Sequence, residues 1–247
     1  MTVVLGSEAF LTLCYQSLLR VVSIVAQLEP LLNSASRRRI LFVALLLVSQ
    51  LILAMSSGWC HSPSIDEVGH LAAGLSHWEI GRFDLYAVNP PLIRLVAAIP
   101  LLCVNKSVDW SSYSQIVAHR AEFPVGRQFI KVNGERSMWL FFLARAILIL
   151  IVSAGTFLMC WRWSTALADQ HFAVAVVVVL CLSPSFLTNV SMVTPDAGSA
   201  AALMGAVLSL RHYLFTRSNT ASVICGVAVS VAMLTKFTCL AFLFVIP

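Results

Sequence analysis

The chain has 247 residues, 59% of them hydrophobic and 11% charged, with a net charge of +5. An ordinary soluble domain, in which about a quarter of residues are charged, is excluded. A β-barrel fits poorly, because its strands alternate apolar and polar residues and these apolar runs are continuous. The mean hydropathy is +0.89 and the pI near 9.0. That basic balance does not indicate nucleic acid, because the basic residues stand at the ends of apolar runs, where they set topology. The expectation is an all-α, multi-span integral membrane protein.

Residues 1–39 read as a cytoplasmic N-terminal segment. Within it, Leu11–Leu32 is apolar but interrupted by Gln16, Arg20, Gln27, Glu29 and Pro30, the pattern of an amphipathic helix lying on the membrane surface. No basic region precedes it, so it does not read as a signal peptide. Arg37-Arg38-Arg39 then introduces Ile40–Gly58, nineteen residues without a charge. That length crosses a hydrocarbon core of about 30 Å. The arginines place its start in the cytoplasm and its end outside.

Residues 59–137 form an extracytoplasmic loop rich in aromatic residues. Asp66–Ile80 carries Val68, Leu71, Ala72, Leu75 and Trp78 at helical spacing, and Gly81 ends it. Asn89-Pro90-Pro91 breaks the chain before Leu92–Val104, which contains Arg94 and Pro100. Two helices on the outer membrane face are expected here. Ser137–Cys160 is the second span, with Arg145 inside it. An arginine at that depth faces a polar cavity or snorkels to the outer interface, and both readings stay open. Phe172–Leu187 is the third span, returning outside at Ser183-Pro184. Ala197–Phe215 is the fourth, and Ala221 begins the fifth. Lys236 either ends the fifth span before a sixth, or lies buried within it. The total is five or six spans. The chain closes inside an apolar stretch, and a fragment of a longer protein is expected.

The seven cysteines form no CxxC pair and no metal spacing. Cys160, Cys181, Cys225 and Cys239 read as small apolar residues in or beside the spans. Cys60 and Cys103 share the outer loop, where a disulfide is chemically open to them.

Acid is scarce: eleven Asp and Glu in the whole chain. Alternation of the spans puts Asp66, Glu67 and Asp196 at the same membrane face, with Lys236 joining them if the fifth span ends there. A carboxylate at that face can deprotonate a hydroxyl, and a lysine or arginine can hold a phosphate. The competing reading of Asp66-Glu67 is a helix N-terminus capped by Ser64, where two acids favour the macrodipole. Thr194-Pro195-Asp196 is also good helix-start chemistry. Asp66, His70 and His77 share a helical face, which is open to a divalent metal. No HExxH motif supports that set, and hydrogen-bonding histidines are the alternative.

The run SIDEVGHLAAGLSHWEIGRFDLYAVNPPLIRLVAAIP resembles the first extracytoplasmic loop of the GT-C glycosyltransferases. It is most similar to the phospholipid-carrier-dependent members, the protein O-mannosyltransferases and aminoarabinose transferases. The matching positions are Asp66, Glu67, His70, Gly81, Phe83, Pro90, Pro91 and Leu92. The runs LSPSFLTNVSMVTPDAGSAAAL and GVAVSVAMLTKFT resemble the family's second-acid turn and its span ending in Leu-Thr-Lys. The resemblance covers residues 40–247. It implies transfer of a sugar from a polyprenyl-phosphate donor to a protein or lipid acceptor at the extracytoplasmic face of the cell membrane. By that resemblance Asp66 is the base or acceptor-positioning acid, and Glu67 orients the acceptor or, with Asp66, a divalent metal ion. Asp196 is the second acid of the site, Lys236 and Arg94 contact the donor phosphate, and His70 is grouped with them as substrate-binding. Asn89 stands where many relatives carry Glu-His. Two further classes stay open: a transporter or flippase for a lipid-linked substrate with Arg145 and Lys236 along its path, and a non-catalytic membrane scaffold.

Overall fold

The computed structural model describes residues 35–111, 113 and 120–245, and among them every regular element is an α-helix. The amphipathic helix expected within residues 11–32 lies outside the described residues. Ten helices follow in order: α1 (Ala35–Cys60), α2 (Ile65–Glu79), α3 (Leu92–Leu102), α4 (Glu122–Asn133), α5 (Arg136–Leu167), α6 (Gln170–Leu182), α7 (Pro184–Val190), α8 (Pro195–Thr216), α9 (Asn219–Thr235) and α10 (Thr238–Val245).

Two of them, α1 over Arg37–Cys60 and α5 over Arg136–Leu167, are long and apolar enough to cross a membrane. The expected third span is broken. Pro184 has no N–H to continue the helical ladder, and α6 and α7 meet at a bend of 63°. Counted as one span, this pair makes three. By length and composition α9, with 17 residues, falls among the shorter apolar helices, so five or six spans do not follow from these criteria. Lys236 is not inside a helix. It is extended, with φ −156° and ψ 135°, and separates α9 from α10.

The described part of residues 59–137 holds three helices, not two. α2 starts with a complete capping box: the Ser64 side chain accepts from the Glu67 N–H and Glu67 accepts from the Ser64 N–H. It ends before Gly81, whose φ of +66° suits glycine. Gly74 lets α2 close on α3, since a Cβ there would sit 2.2 Å from the Arg94 carbonyl oxygen. The third helix, α4, has little apolar surface to announce it. Its Val125 and Phe129 are buried at a spacing of four, and Gly126 passes so near α2 that a Cβ would lie 2.2 Å from the Val68 oxygen.

The main core joins these outer helices to the long one. Val68, Leu71 and Leu75 of α2 pack with Ile93, Ala97 and Leu101 of α3, Phe129 of α4, and Leu140, Phe141, Ala144 and Leu148 of α5. These three helices therefore pack together on the first turns of α5. Cys60 and Cys103 are both free and exposed, so the open disulfide pairing is not formed.

Candidate functional site

The acid pair stands at the first turn of α2, and its two members face opposite fates. Asp66 is exposed, while Glu67 is fully buried. Arg145 of α5 reaches Glu67 with both arms: Nε donates to Oε1 at 2.7 Å and Nη2 to Oε2 at 2.7 Å. The remaining donors of Arg145 hold the end of α1 and the turn after it, at the carbonyls of Gly58, His61 and Ser62. Arg145 thus neither snorkels nor lines an open cavity. It is 1% exposed and fixes an ion pair, the bidentate geometry that only arginine supplies.

Glu67 is a junction. Its Oε2 accepts the Ser64 N–H at 2.8 Å. Its Oε1 accepts the Val193 N–H at 2.9 Å, which fastens the loop before α8 to the start of α2. Burial by itself would raise the Glu67 carboxyl. The hydrogen bonds and charge of Arg145, with the Ser64 and Val193 N–H groups, outweigh it, and the carboxyl falls below its ordinary value. Both oxygens are occupied, so Glu67 is not available as a metal ligand.

Asp196 lies three residues beyond Val193, in the first turn of α8. The extended residue after α9 brings Lys236 Nζ to Asp196 Oδ1 at 2.5 Å. The second acid and the lysine, forty residues apart, are therefore an ion pair, partly open to solvent with side-chain exposures of 28% for Lys236 and 50% for Asp196.

His70, one turn into α2 from Asp66, is buried against Tyr86, with ring centroids 4.7 Å apart. Burial and the charge of Arg94 push it down to about 4, against the opposing pull of Asp66, Asp196 and Glu122. It is a neutral imidazole at neutral pH, set among three carboxylates. Glu122 of α4 is buried and paired with Arg120. Nothing in the sequence of that stretch marks it as part of the site, because it arrives through the packing of α4 on Gly69 of α2, where a Cβ would meet Glu122 Cγ at 2.9 Å.

Arg94 departs from its expected contact with a phosphate. Arg94 is 3% exposed. Its Nε donates to His77 Nε2 at 2.8 Å, its Nη1 to the Asn89 carbonyl at 2.7 Å, and its Nη2 to the Tyr86 carbonyl at 2.9 Å. Those contacts close residues 82–91 into a fixed corner and leave Arg94 turned away from a phosphate at the surface. His77 accepts from Arg94 on one ring nitrogen and donates to the Arg82 carbonyl from the other, at 2.8 Å, while its ring stacks on Phe83 at 4.1 Å. The hydrogen-bonding reading of His77 holds, and the metal set of Asp66, His70 and His77 does not form. Among the described residues no three His, Cys, Asp or Glu side chains stand together as metal ligands. With Glu67 and His77 occupied, the donor set left around Asp66 does not fit a divalent ion.

The corner is latched at its surface by Asp84. Arg82 and Tyr113 both donate to it, the Tyr113 hydroxyl at 2.6 Å. These hydrogen bonds hold Asp84 at about 2, and burial together with Asp84 lifts Tyr113 to about 12.

No protein-family model matches the chain, and no curated protein and no solved structure matches it.

Proposed function

We propose that this chain belongs with the GT-C glycosyltransferases and moves a sugar from a polyprenyl-phosphate donor to a hydroxyl acceptor, on a protein or a lipid, at the extracytoplasmic face of the cell membrane. One observation carries the reading. The hydrogen bond from Val193 N–H to Glu67 Oε1 ties the turn that exposes Asp66 to the segment leading into Asp196, and Asp196 in turn pairs with Lys236 from the end of α9. Two carboxylates and one cation, drawn from three distant parts of the sequence, then share a single solvent-facing edge.

The roles follow from accessibility. Asp66 is the exposed acid beside a fully anchored neighbour, and it accepts the proton of the acceptor hydroxyl as that oxygen attacks the sugar's anomeric carbon. The bond from that carbon to the phosphate oxygen breaks, and the polyprenyl phosphate departs with the electron pair. Lys236, oriented by Asp196, meets the phosphate charge. Glu67 and Arg145 position Asp66 without touching substrate. No step involves a metal. The topology proposed with this function has five crossing segments, α1, α5, the bent pair α6–α7, α8 and α9, with a sixth beginning at α10 and the N-terminus cytoplasmic. Membrane lipids and the lipid-linked donor are its partners, and nucleic acid is not. The transporter reading loses support, because Arg145 is enclosed and paired rather than set along a path.

The test is transfer of labelled sugar from a polyprenyl-phosphate donor by membranes containing the chain. Asp66→Asn is expected to lower transfer by at least a hundredfold, the usual scale for removing a general base, with membrane insertion unchanged. Transfer at the unsubstituted rate overturns the assignment.

A further inference from the structure

The charges divide between two ends of the molecule. Arg37, Arg38 and Arg39 open α1, and Arg39 lines a cavity together with Trp161 and Gln170. The start of α1, the end of α5 and the start of α6 therefore lie at one end. Arg162, Arg211 and His212 gather at this end, and Arg217 follows at the close of α8. Among the described residues the one acid here is Asp169, which caps α6 by accepting the Phe172 N–H at 2.8 Å. The other described acids lie toward the opposite end, around α2 to α4, before α5 and in the first turn of α8.

Between α5, α8 and α9 at the basic end is a cavity of about 650 Å³. Arg162, Arg211 and His212 form its rim, Met159, Gly205 and Leu208 belong to its apolar wall, and no carboxylate lines it. A second cavity of about 430 Å³ shares Met159, Gly205 and Ala228 with the first and continues along the same helices to Thr235. Together they make one apolar furrow that is basic at one end only.

The lining selects the occupant. It is apolar along α3, α5, α8 and α9, and among the described residues the only lining side chains able to carry charge are Arg162, Arg211 and His212 at one end. A hydrocarbon chain matches the first part and an anionic headgroup the second.

We propose that this furrow binds one anionic phospholipid of the leaflet at the basic end, its phosphate held between Arg162 and Arg211 and one acyl chain lying along Met159 and Gly205. Arg162 is exposed and Arg211 half-buried. Arg211 stacks on the Phe215 ring at 5.5 Å, which holds its planar donors toward the rim. Neither is engaged in one of the ion pairs formed among the described residues. Basic pockets between membrane helices that open on an apolar groove have the chemistry of anionic headgroup sites.

The experiment uses the full chain in nanodiscs of phosphatidylcholine with a graded fraction of phosphatidylglycerol, and reads retained lipid by native mass spectrometry. Phosphatidylglycerol is expected to be retained in preference to phosphatidylcholine. The double variant Arg162→Ala with Arg211→Ala is expected to lower its retention about tenfold or more, the scale of two arginines facing a phosphate. Gly205→Leu, which fills the furrow and leaves the arginines intact, is expected to lower it as well. Arg37→Ala with Arg38→Ala removes equal charge from the same end but outside the furrow, and is expected to leave retention within twofold. Equal retention of the two lipids overturns the proposal, and so does an equal loss in the Arg37/Arg38 variant, which would make the attraction a property of the basic face alone. Unchanged helicity by circular dichroism accompanies each variant.

Discussion

Arg145 and Glu67 are 1% and 0% exposed, and among the described residues each is the other's one ion-pair partner. Removing one member of such a pair leaves a buried charge without compensation. Arg145→Met is therefore expected to destabilise the protein by about 3–5 kcal/mol. It also frees the Gly58, His61 and Ser62 carbonyls. The double substitution Glu67→Leu with Arg145→Leu is expected to recover part of that loss, because it abandons no charge. Thermal unfolding in detergent measures both. A double variant no more stable than Arg145→Met would show that the carbonyl contacts, not the ion pair, hold this junction.

The same residues give the outer platform a pH dependence with a defined sign. The Glu67 carboxyl is lowered in the fold. Its contribution is present above the unfolded carboxylate value, near 4.5, and disappears as pH falls through the lower folded value. His70 is also lowered, to about 4. The unfolded chain then takes up a proton below about 6.5 that the folded chain refuses until about 4, so stability declines across that window. Both effects weaken the fold in acid, but they begin at different pH. His70→Gln is expected to flatten the decline between about 6.5 and 4 and leave the steeper loss below 4.5. A melting-temperature profile that keeps its upper slope in this variant would place the titration elsewhere.

Among the helices, packing in the outer segment depends on close backbone approach at two glycines. Gly74 meets the Arg94 carbonyl and Gly126 the Val68 carbonyl, both at 2.2 Å from a notional Cβ. A methyl group at either must push one helix off another, since a backbone atom does not swing aside. Gly74→Ala is expected to lose about 2–3 kcal/mol, the upper range for overpacking. Gly226 of α9 has open space around its notional Cβ, so Gly226→Ala is expected to gain up to about 1 kcal/mol of helix propensity. The contrast between two identical substitutions, read by thermal unfolding, isolates packing from propensity. Equal effects would deny the close approach of α2 and α3.

These elements differ in how clearly the sequence shows them. The start of α2 was legible because a cap, two acids and an apolar stripe agree on it. The start of α1 was legible from the three arginines before its uncharged run, whereas α5 runs seven residues past the expected end at Cys160 and holds Arg145 and Arg162 within it. α4 was not legible, because its buried stripe of Val125, Gly126 and Phe129 is short and lies in a segment of low overall hydropathy. Topology put Asp196 and Lys236 at one face, and the two are found as an ion pair. The role of Arg145 was not legible, because nothing local tells a buried pair from a snorkelling side chain. Arg94 was misplaced for the same reason: its partners, His77 and the carbonyls of Tyr86 and Asn89, converge only when the corner folds.

For the whole molecule, the depth covered by the shorter and broken helices can be read from their ends. Gln170, at the start of α6, lines a cavity with Arg39. Ser191, just past α7, meets Ser57 hydroxyl to hydroxyl at 3.1 Å. The bent pair therefore covers the same depth as α1 from Arg39 to Ser57, about 27 Å at 1.5 Å per residue, which nearly matches a hydrocarbon core of about 30 Å. A re-entrant loop would return to the level at which it began, so this depth supports the crossing proposed for the pair. α8 likewise runs from Asp196, beside the Glu67 junction, to Arg211, beside Arg162, and α9 runs back to Lys236 at Asp196. Cysteine labelling checks this geometry directly. In sealed vesicles an impermeant maleimide is expected to reach the exposed Cys60 and Cys103 from one side only, and a cysteine placed at Arg38 only from the other. A cysteine at the exposed Thr188 of α7 decides the bent pair: reaction from the Cys60 side makes α6–α7 a full crossing, and reaction from the Arg38 side makes it a re-entrant loop and removes one span from the proposed five.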